Sequence, residues 1–157
     1  MKTMAVTGHR PNKLGGYGEA AHNQRLRLAT AAVRHYAPQQ VITGMALGWD
    51  QAIAQACVDL KVPFLAYVPF EGQESAWPSD SQRYYHELLR KAAEVKFICG
   101  PGYAAWKMQK RNEAMVDECN RLVALWDGSS GGTANCIAYA RSLPRLTTNL
   151  WTTWRKM

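Results

Sequence analysis

The sequence has no apolar run long enough to cross a membrane: its longest, near Val62–Phe70, is interrupted by Pro63 and Pro69 and falls far short of the roughly 20 residues a spanning helix requires. No basic segment followed by an apolar one opens the chain, so no secretory leader is expected and a cytoplasmic location is. Cysteines are few and scattered. Cys57, Cys99, Cys119 and Cys136 form no C-x-x-C pair and have no histidine at metal-ligand spacing, which excludes a disulfide framework and a zinc module. Each lies in or beside an apolar run, where reduced thiols pack. Two phosphate-binding signatures are also missing, G-x-G-x-x-G and G-x-x-x-x-G-K-[ST]. Ordinary dinucleotide dehydrogenases and P-loop triphosphatases therefore lose their support. No cofactor and no metal is expected.

What is present is the composition of a folded domain. With 157 residues, 47% hydrophobic and 20% charged, the chain is neither disordered nor fibrous and is the right size for a single domain spanning 1–157. It is basic, with a formal net charge of +7. The excess is uneven: residues 1–37 carry +5, residues 38–106 carry −2 and residues 107–157 carry +4. Such a distribution suits an anionic partner, and both nucleotide and nucleic acid qualify.

Short apolar runs alternate with amphipathic segments along the whole chain. Strands are predicted at Lys2–Thr7, Gln40–Thr43, Pro63–Val68, Val95–Cys99 and Leu122–Trp126. Helices are predicted at Glu19–Ala37, Asp50–Leu60, Ser81–Ala92, Lys107–Asn120 and Thr133–Ser142. In the first helix Leu26, Ala29, Val33 and Tyr36 form the apolar stripe, with Arg25, Arg27 and Arg34 largely outside it. Asp50 reads as the N-cap of the second. The β-prone tail Thr147–Trp154 is expected to add an edge strand. This alternation predicts an α/β fold, a Rossmann-like sandwich with a mainly parallel sheet flanked by helices on both faces.

In such folds ligands bind beyond the carboxyl ends of the strands. Three strand exits are rich in glycine and small polar residues. They are Thr7-Gly8-His9-Arg10, leading on to Lys13 and Gly15-Gly16-Tyr17-Gly18; Thr43-Gly44-Met45-Ala46-Leu47-Gly48-Trp49-Asp50; and Asp127-Gly128-Ser129-Ser130-Gly131-Gly132-Thr133. Glycine lets backbone N–H groups approach an anion, and a following helix N-terminus adds favourable dipole charge. On the helix before the fifth strand, Met108, Arg111 and Met115 share one side, which turns Arg111 toward packing, where it needs an anionic partner. Candidate ligand-binding residues are Thr7, Gly8, His9, Arg10, Gly44, Ala46, Gly48, Asp50, Arg111, Asp127, Ser129, Gly131, Gly132 and Thr133. Tyr17 and Trp49 are candidates to stack on a base.

Taken in order, the T-G-H-R-P opening, the following G-G-Y, the T-G-x-A-x-G-x-D loop, P-F-E-G-Q at Pro69–Gln73, R-N-x-x-M-V-D at Arg111–Asp117 and W-D-G-S-x-G-G-T-A resemble the YpsA-like family of the SLOG (Smf/DprA and LONELY GUY) superfamily. The resemblance runs from Thr7 to about Ala140. It implies a Rossmann-like fold and a pocket for nucleotides or nucleotide-derived molecules, in a sensor or sequestering protein, and a homodimer as in many SLOG relatives. LONELY GUY enzymes, which hydrolyse the N-glycosidic bond of nucleoside monophosphates, pair a helix M-x-x-R-K-x-x-M with P-G-G-x-G-T-x-x-E. Met108, Arg111 and Met115 match that helix, with Asn112 in place of its Lys. The position of the catalytic Glu is Cys136, and a thiol cannot replace a carboxylate there. No catalytic residue is assigned. Asp50, Asp117, Glu118, Asp127, Glu71, Glu74 and His9 are the groups left for an alternative reading as a nucleotide-processing enzyme. Single-stranded nucleic-acid binding, by the tail Trp151–Lys156, is a further alternative.

Overall fold

A computed structural model describes residues 1–157. Its strands are β1 (Thr3–Gly8), β2 (Gln40–Thr43), β3 (Phe64–Val68), β4 (Glu94–Phe97), β5 (Arg121–Leu125) and β6 (Leu146–Asn149). The helices between and after them are α1 (Glu19–Tyr36), α2 (Trp49–Leu60), α3 (Ser79–Lys91), α4 (Ala105–Asp117), α5 (Gly132–Ser142) and α6 (Trp151–Arg155). All strand pairings are parallel, in one six-stranded sheet of order β4-β3-β2-β1-β5-β6. The α/β Rossmann-like fold class predicted from the sequence is the observed one.

The central strands are apolar along their whole length because both of their faces are covered. Met4 and Val6 of β1 and Val123 and Leu125 of β5 enter one core layer, with α1, α2, α3 and Trp154 of α6. The alternate residues Ala5, Leu122 and Ala124 enter the other, with Met115 and Val116 of α4 and Cys136, Ile137 and Ala140 of α5. Each large side chain fully buried in this way contributes roughly 1.5–3 kcal/mol. Helix α1 is built of good helix formers and stops at Ala37, which turns left-handed (φ 45°) just before Pro38.

Starting at β1, the chain steps outward through β2 and β3 to β4, then returns over the sheet along α4 and enters β5 on the other side of β1. Strand order therefore reverses between β1 and β5. The loops leaving those strands diverge there and open a crevice at the carboxyl edge.

Three local expectations are corrected. Asp50 does not cap α2: the N-cap is Gly48, and Asp50 lies in the first turn. Gly48 takes φ +94°, and a Cβ there would stand 2.6 Å from the His9 carbonyl oxygen, so the helix starts where only glycine fits. Arg25 is 4% exposed rather than outside the buried stripe, because its Nη1 donates to the carbonyls of Leu14 (2.9 Å) and Gly16 (2.8 Å) in the preceding glycine turn. The tail is an edge strand only as far as Asn149. There the Asn149 side-chain oxygen accepts the amides of Trp126 and Trp151, and the chain turns into α6.

Candidate functional site

The crevice between the β1 and β5 exits is a cleft of about 460 Å³. The end of β1 and the residues after it form one wall, with Thr7, Gly8, His9, Arg10, Asn12 and Lys13. Ala46 and Asp50 come from the β2 exit. Met108, Gln109, Arg111 and Asn112 come from the first turns of α4, and Ser129 to Asn135 come from the β5 exit and the start of α5. Most of the residues singled out in the sequence are thus brought together. Three of the fourteen candidate ligand-binding residues are not on its surface, and neither are the stacking candidates Tyr17 and Trp49. Gly44 lies behind Arg111, Gly48 lines a second hollow beside Tyr17 and Tyr84, and Asp127 buttresses the loop from outside.

Arg111 is 5% exposed. Its Nη1 donates to the Gly44 carbonyl at 2.7 Å and to that of Tyr67 at 3.4 Å, and its Nε donates to Asn112 Oδ1 at 2.9 Å. Burial pulls its pKa down, and the nearby charge of Asp50 opposes that pull. The guanidinium is packed so closely that a Cβ on Gly44 would stand 2.3 Å from Nη1 and 2.6 Å from Cζ. Gly44→Ala should therefore push the pinned guanidinium aside at a cost of ~1–3 kcal/mol, read as a melting temperature several degrees lower; an unchanged melting curve would show that Arg111 is free to move.

Asp50 is likewise 5% exposed. Its Oδ2 accepts the Ala46 amide at 3.3 Å. Burial pushes its pKa up to about 6, against the opposing charges of Arg111 and Arg10 and the Ala46 hydrogen bond.

Across the cleft, a hydrogen-bonded cluster shapes the β5 exit. His9 Nε2 lies 2.8 Å from Asp127 Oδ1 and 2.9 Å from the Asp127 amide nitrogen. One ring nitrogen serves one of these at a time, as a donor to the carboxylate or as an acceptor from the amide. Lys13 Nζ reaches Asp127 Oδ2 at 3.3 Å and donates to Ser129 Oγ at 2.6 Å. The Ser129 hydroxyl and amide both donate to Asp127 Oδ1 and, with His9, hold that carboxyl well below the usual range. This clamp fixes the chain just before Gly131, where α5 begins with no side chain capping its amides. Of the Asp, Glu, Lys and Arg side chains lining the cleft, Arg10, Lys13 and Arg111 are the basic ones and Asp50 is the acid.

Several candidates from the sequence lie elsewhere. Trp49 is fully buried in the core and cannot stack on a ligand. The aromatic residue at the cleft mouth is Tyr103, 76% exposed and edge-on to Phe70. It follows Gly100-Pro101-Gly102, a fourth glycine-bearing strand exit whose composition was the available signal. Asp117 accepts from the Tyr139 hydroxyl and Glu118 from the Tyr67 hydroxyl, and neither lines the cleft. Glu74 pairs with His86 at 3.1 Å, and neither it nor Glu71 lines the cleft. Cys136 is fully buried, and burial pushes its thiol up to about 12. In the tail, Trp154 is core and Trp151 sits edge-on against His9; the two rings pack inward instead of forming an exposed track.

A six-stranded parallel sheet covered by helices on both faces, with a cationic cleft at its reversal point, defines an α/β protein of Rossmann-like fold. The YpsA family model, described as the YspA SLOG family, matches residues 4–143. The chain belongs to that family. A Bacillus subtilis relative, the uncharacterized SPbeta prophage-derived protein YoqJ, is 40% identical over 117 residues, covering 64% of this chain and 68% of that protein. A UPF0398 protein of Bacillus anthracis is 26% identical over 151 residues, covering 89% and 82%. Among solved structures, DNA processing protein A from Streptococcus pneumoniae superposes with a TM-score of 0.69 at 16% identity, over 94% of this chain and 50% of that one. The molybdenum cofactor carrier protein of Chlamydomonas reinhardtii does so with 0.60 at 17%, over 99% and 80%. At these identities the likeness is one of fold, and the chain spans half the length of the pneumococcal protein.

Proposed function

We propose that the cleft binds a nucleotide or nucleotide-derived ligand, with its phosphate against the backbone N–H groups of Gly131, Gly132 and Thr133 and its charge matched by Arg10, Lys13 and Arg111. The observation that carries this reading is the convergence on one cleft of an uncapped helix start and three cations. Free helix N-terminal amides and charge-assisted donors are what a phosphate needs. In this reading Tyr103 offers the base a face at the mouth, and the protein acts as a sensor or a sequestering protein. A hydrolase of the LONELY GUY type has less support, because Cys136 is a packed thiol with no carboxylate in its place.

Mass spectrometry of protein released under denaturing conditions should detect a phosphorylated small molecule carried through purification. Gly132→Leu provides the mutational test. A Cβ at Gly132 meets nothing within 4 Å and the position has no left-handed φ, so the fold should keep its melting temperature while the bulky side chain covers the amides. Affinity for inorganic phosphate and nucleotides should then be lost. Unchanged affinity in the folded variant rules the cradle out.

A second reading, single-stranded DNA binding, is favoured by one set of observations. DNA processing protein A of Helicobacter pylori, which has a single-stranded DNA binding mode, shares this fold with a TM-score of 0.68 at 12% identity. Exposed Tyr103 and Trp106, with Lys107 against the Trp106 ring, also lie near the cleft mouth. A steep loss of oligonucleotide affinity with added salt would favour it.

A further inference from the structure

The cleft contains acceptor atoms with nothing to accept. Asp50 Oδ1 is buried without a hydrogen-bond partner, although its residue lines the cleft. Arg111 spends its hydrogen bonds on the Gly44 and Tyr67 carbonyls and on Asn112 rather than on this oxygen. Gln109 Oε1, on α4, is a second buried acceptor without a partner, and its residue also lines the cleft. Buried acceptors without donors are rare because each forfeits its hydration. A ligand that completes these groups brings N–H or O–H donors as well as an anion.

The sheet sets the distance between the two ends of such a ligand. Helix α2, which carries Asp50, follows β2, and α5 follows β5; the two strands flank β1. Asp50 and the Gly131–Thr133 amides are therefore separated by about two interstrand spacings, on the order of 10 Å. A phosphate and the hydroxyls of its own ribose cover that span with a hydrogen bond at each end. Resting on the phosphate position proposed above, we propose that Asp50 accepts the 2′- and 3′-hydroxyls of a ribosyl 5′-phosphate, and so selects ribonucleotide ligands over deoxy ones. The groups facing this carboxylate are the Ala46 amide, Arg111 on α4, Arg10 after β1 and the Cys136 thiol on α5. The two arginines favour the ionised carboxylate, which is the better acceptor, and burial opposes them. The ribose preference accordingly weakens as the pH falls through about 6.

The test uses the full chain and measures binding of inorganic phosphate, the four common nucleoside 5′-monophosphates and their 2′,3′-dideoxy counterparts by calorimetry. The expected result is a ten- to hundredfold preference for the ribo form, the range of a charge-assisted contact. Asp50→Asn should bring that ratio to near one while inorganic phosphate still binds, no more weakly than to the wild type because an acid facing Arg10 and Arg111 is removed, and the wild-type ratio should shrink between pH 7.5 and pH 5. Equal wild-type affinity for ribo and dideoxy forms overturns the assignment and leaves the phosphate site standing; that comparison needs no variant. A preference that survives in Asp50→Asn overturns it as well. Failure of phosphate and every monophosphate to bind overturns both this assignment and the proposed function on which it rests.

Discussion

Arg111→Ala is expected to lower stability by on the order of 3–5 kcal/mol and to weaken phosphate-ligand binding by ten- to hundredfold. The stability loss comes from the guanidinium's position. It is buried, donates to the carbonyls of Gly44 and Tyr67 and to the Asn112 side chain, and is the first charge that opposes the burial of Asp50. Alanine leaves those acceptors unpaired and the carboxyl without its counter-charge, so the pKa of Asp50 rises further. In a chain of this length such a loss lowers the melting temperature by about 10 °C. Arg111→Lys keeps the charge but not the planar fork and should recover only part of the stability. Thermal melts at pH 7 and phosphate titrations at low temperature read the two effects separately. A melting temperature unchanged in Arg111→Ala would mean that these hydrogen bonds do not organise the floor of the cleft.

Asp50→Asn is expected to act in the opposite direction on stability. The carboxyl rises from an ordinary value of 3.8 to about 6 on folding, so between those values the folded chain holds a proton that the unfolded chain has released. Stability therefore falls as pH rises through that interval, and the penalty is fully present above about pH 6. The shift corresponds to about 3 kcal/mol. Asparagine resembles the protonated form and carries no such penalty. The variant should match the wild type near pH 3.5 and exceed it progressively, by up to about 3 kcal/mol, at pH 7. Denaturant unfolding across that range measures the difference directly. A difference that stays flat with pH would show that Asp50 is not held ionised against burial. A gain in stability together with a loss of ribose preference would identify Asp50 as a residue kept for binding at the expense of the fold.

Elements with a strong local signature were legible without coordinates. The apolar runs of β1, β2, β3 and β5 and the periodic stripes of the helices predicted the sheet and its layers, with ends displaced by up to three residues where caps decide. The glycine-rich exits were legible too, because a parallel sheet sends every strand's carboxyl end to the same edge. Tertiary structure alone decided how side chains used those loops. Trp49 stands in a glycine loop by sequence but is fully buried, since α2 starts at Gly48 and turns the ring into the core. Tyr103 belongs to the exit of edge strand β4, yet it reaches the cleft because α4 returns across the sheet toward β5. Arg25 and Arg111 are both basic residues on helices, and spacing placed only Arg111 inward; the carbonyls of Leu14 and Gly16 that hold Arg25 come from a turn whose path the periodicity of α1 does not encode. For Asp50, sequence supplied a carboxylate near a helix start. Only the packed fold removed its water, left Oδ1 unpaired and set Arg111 nearby, because burial and charge pairing depend on residues distant in the chain.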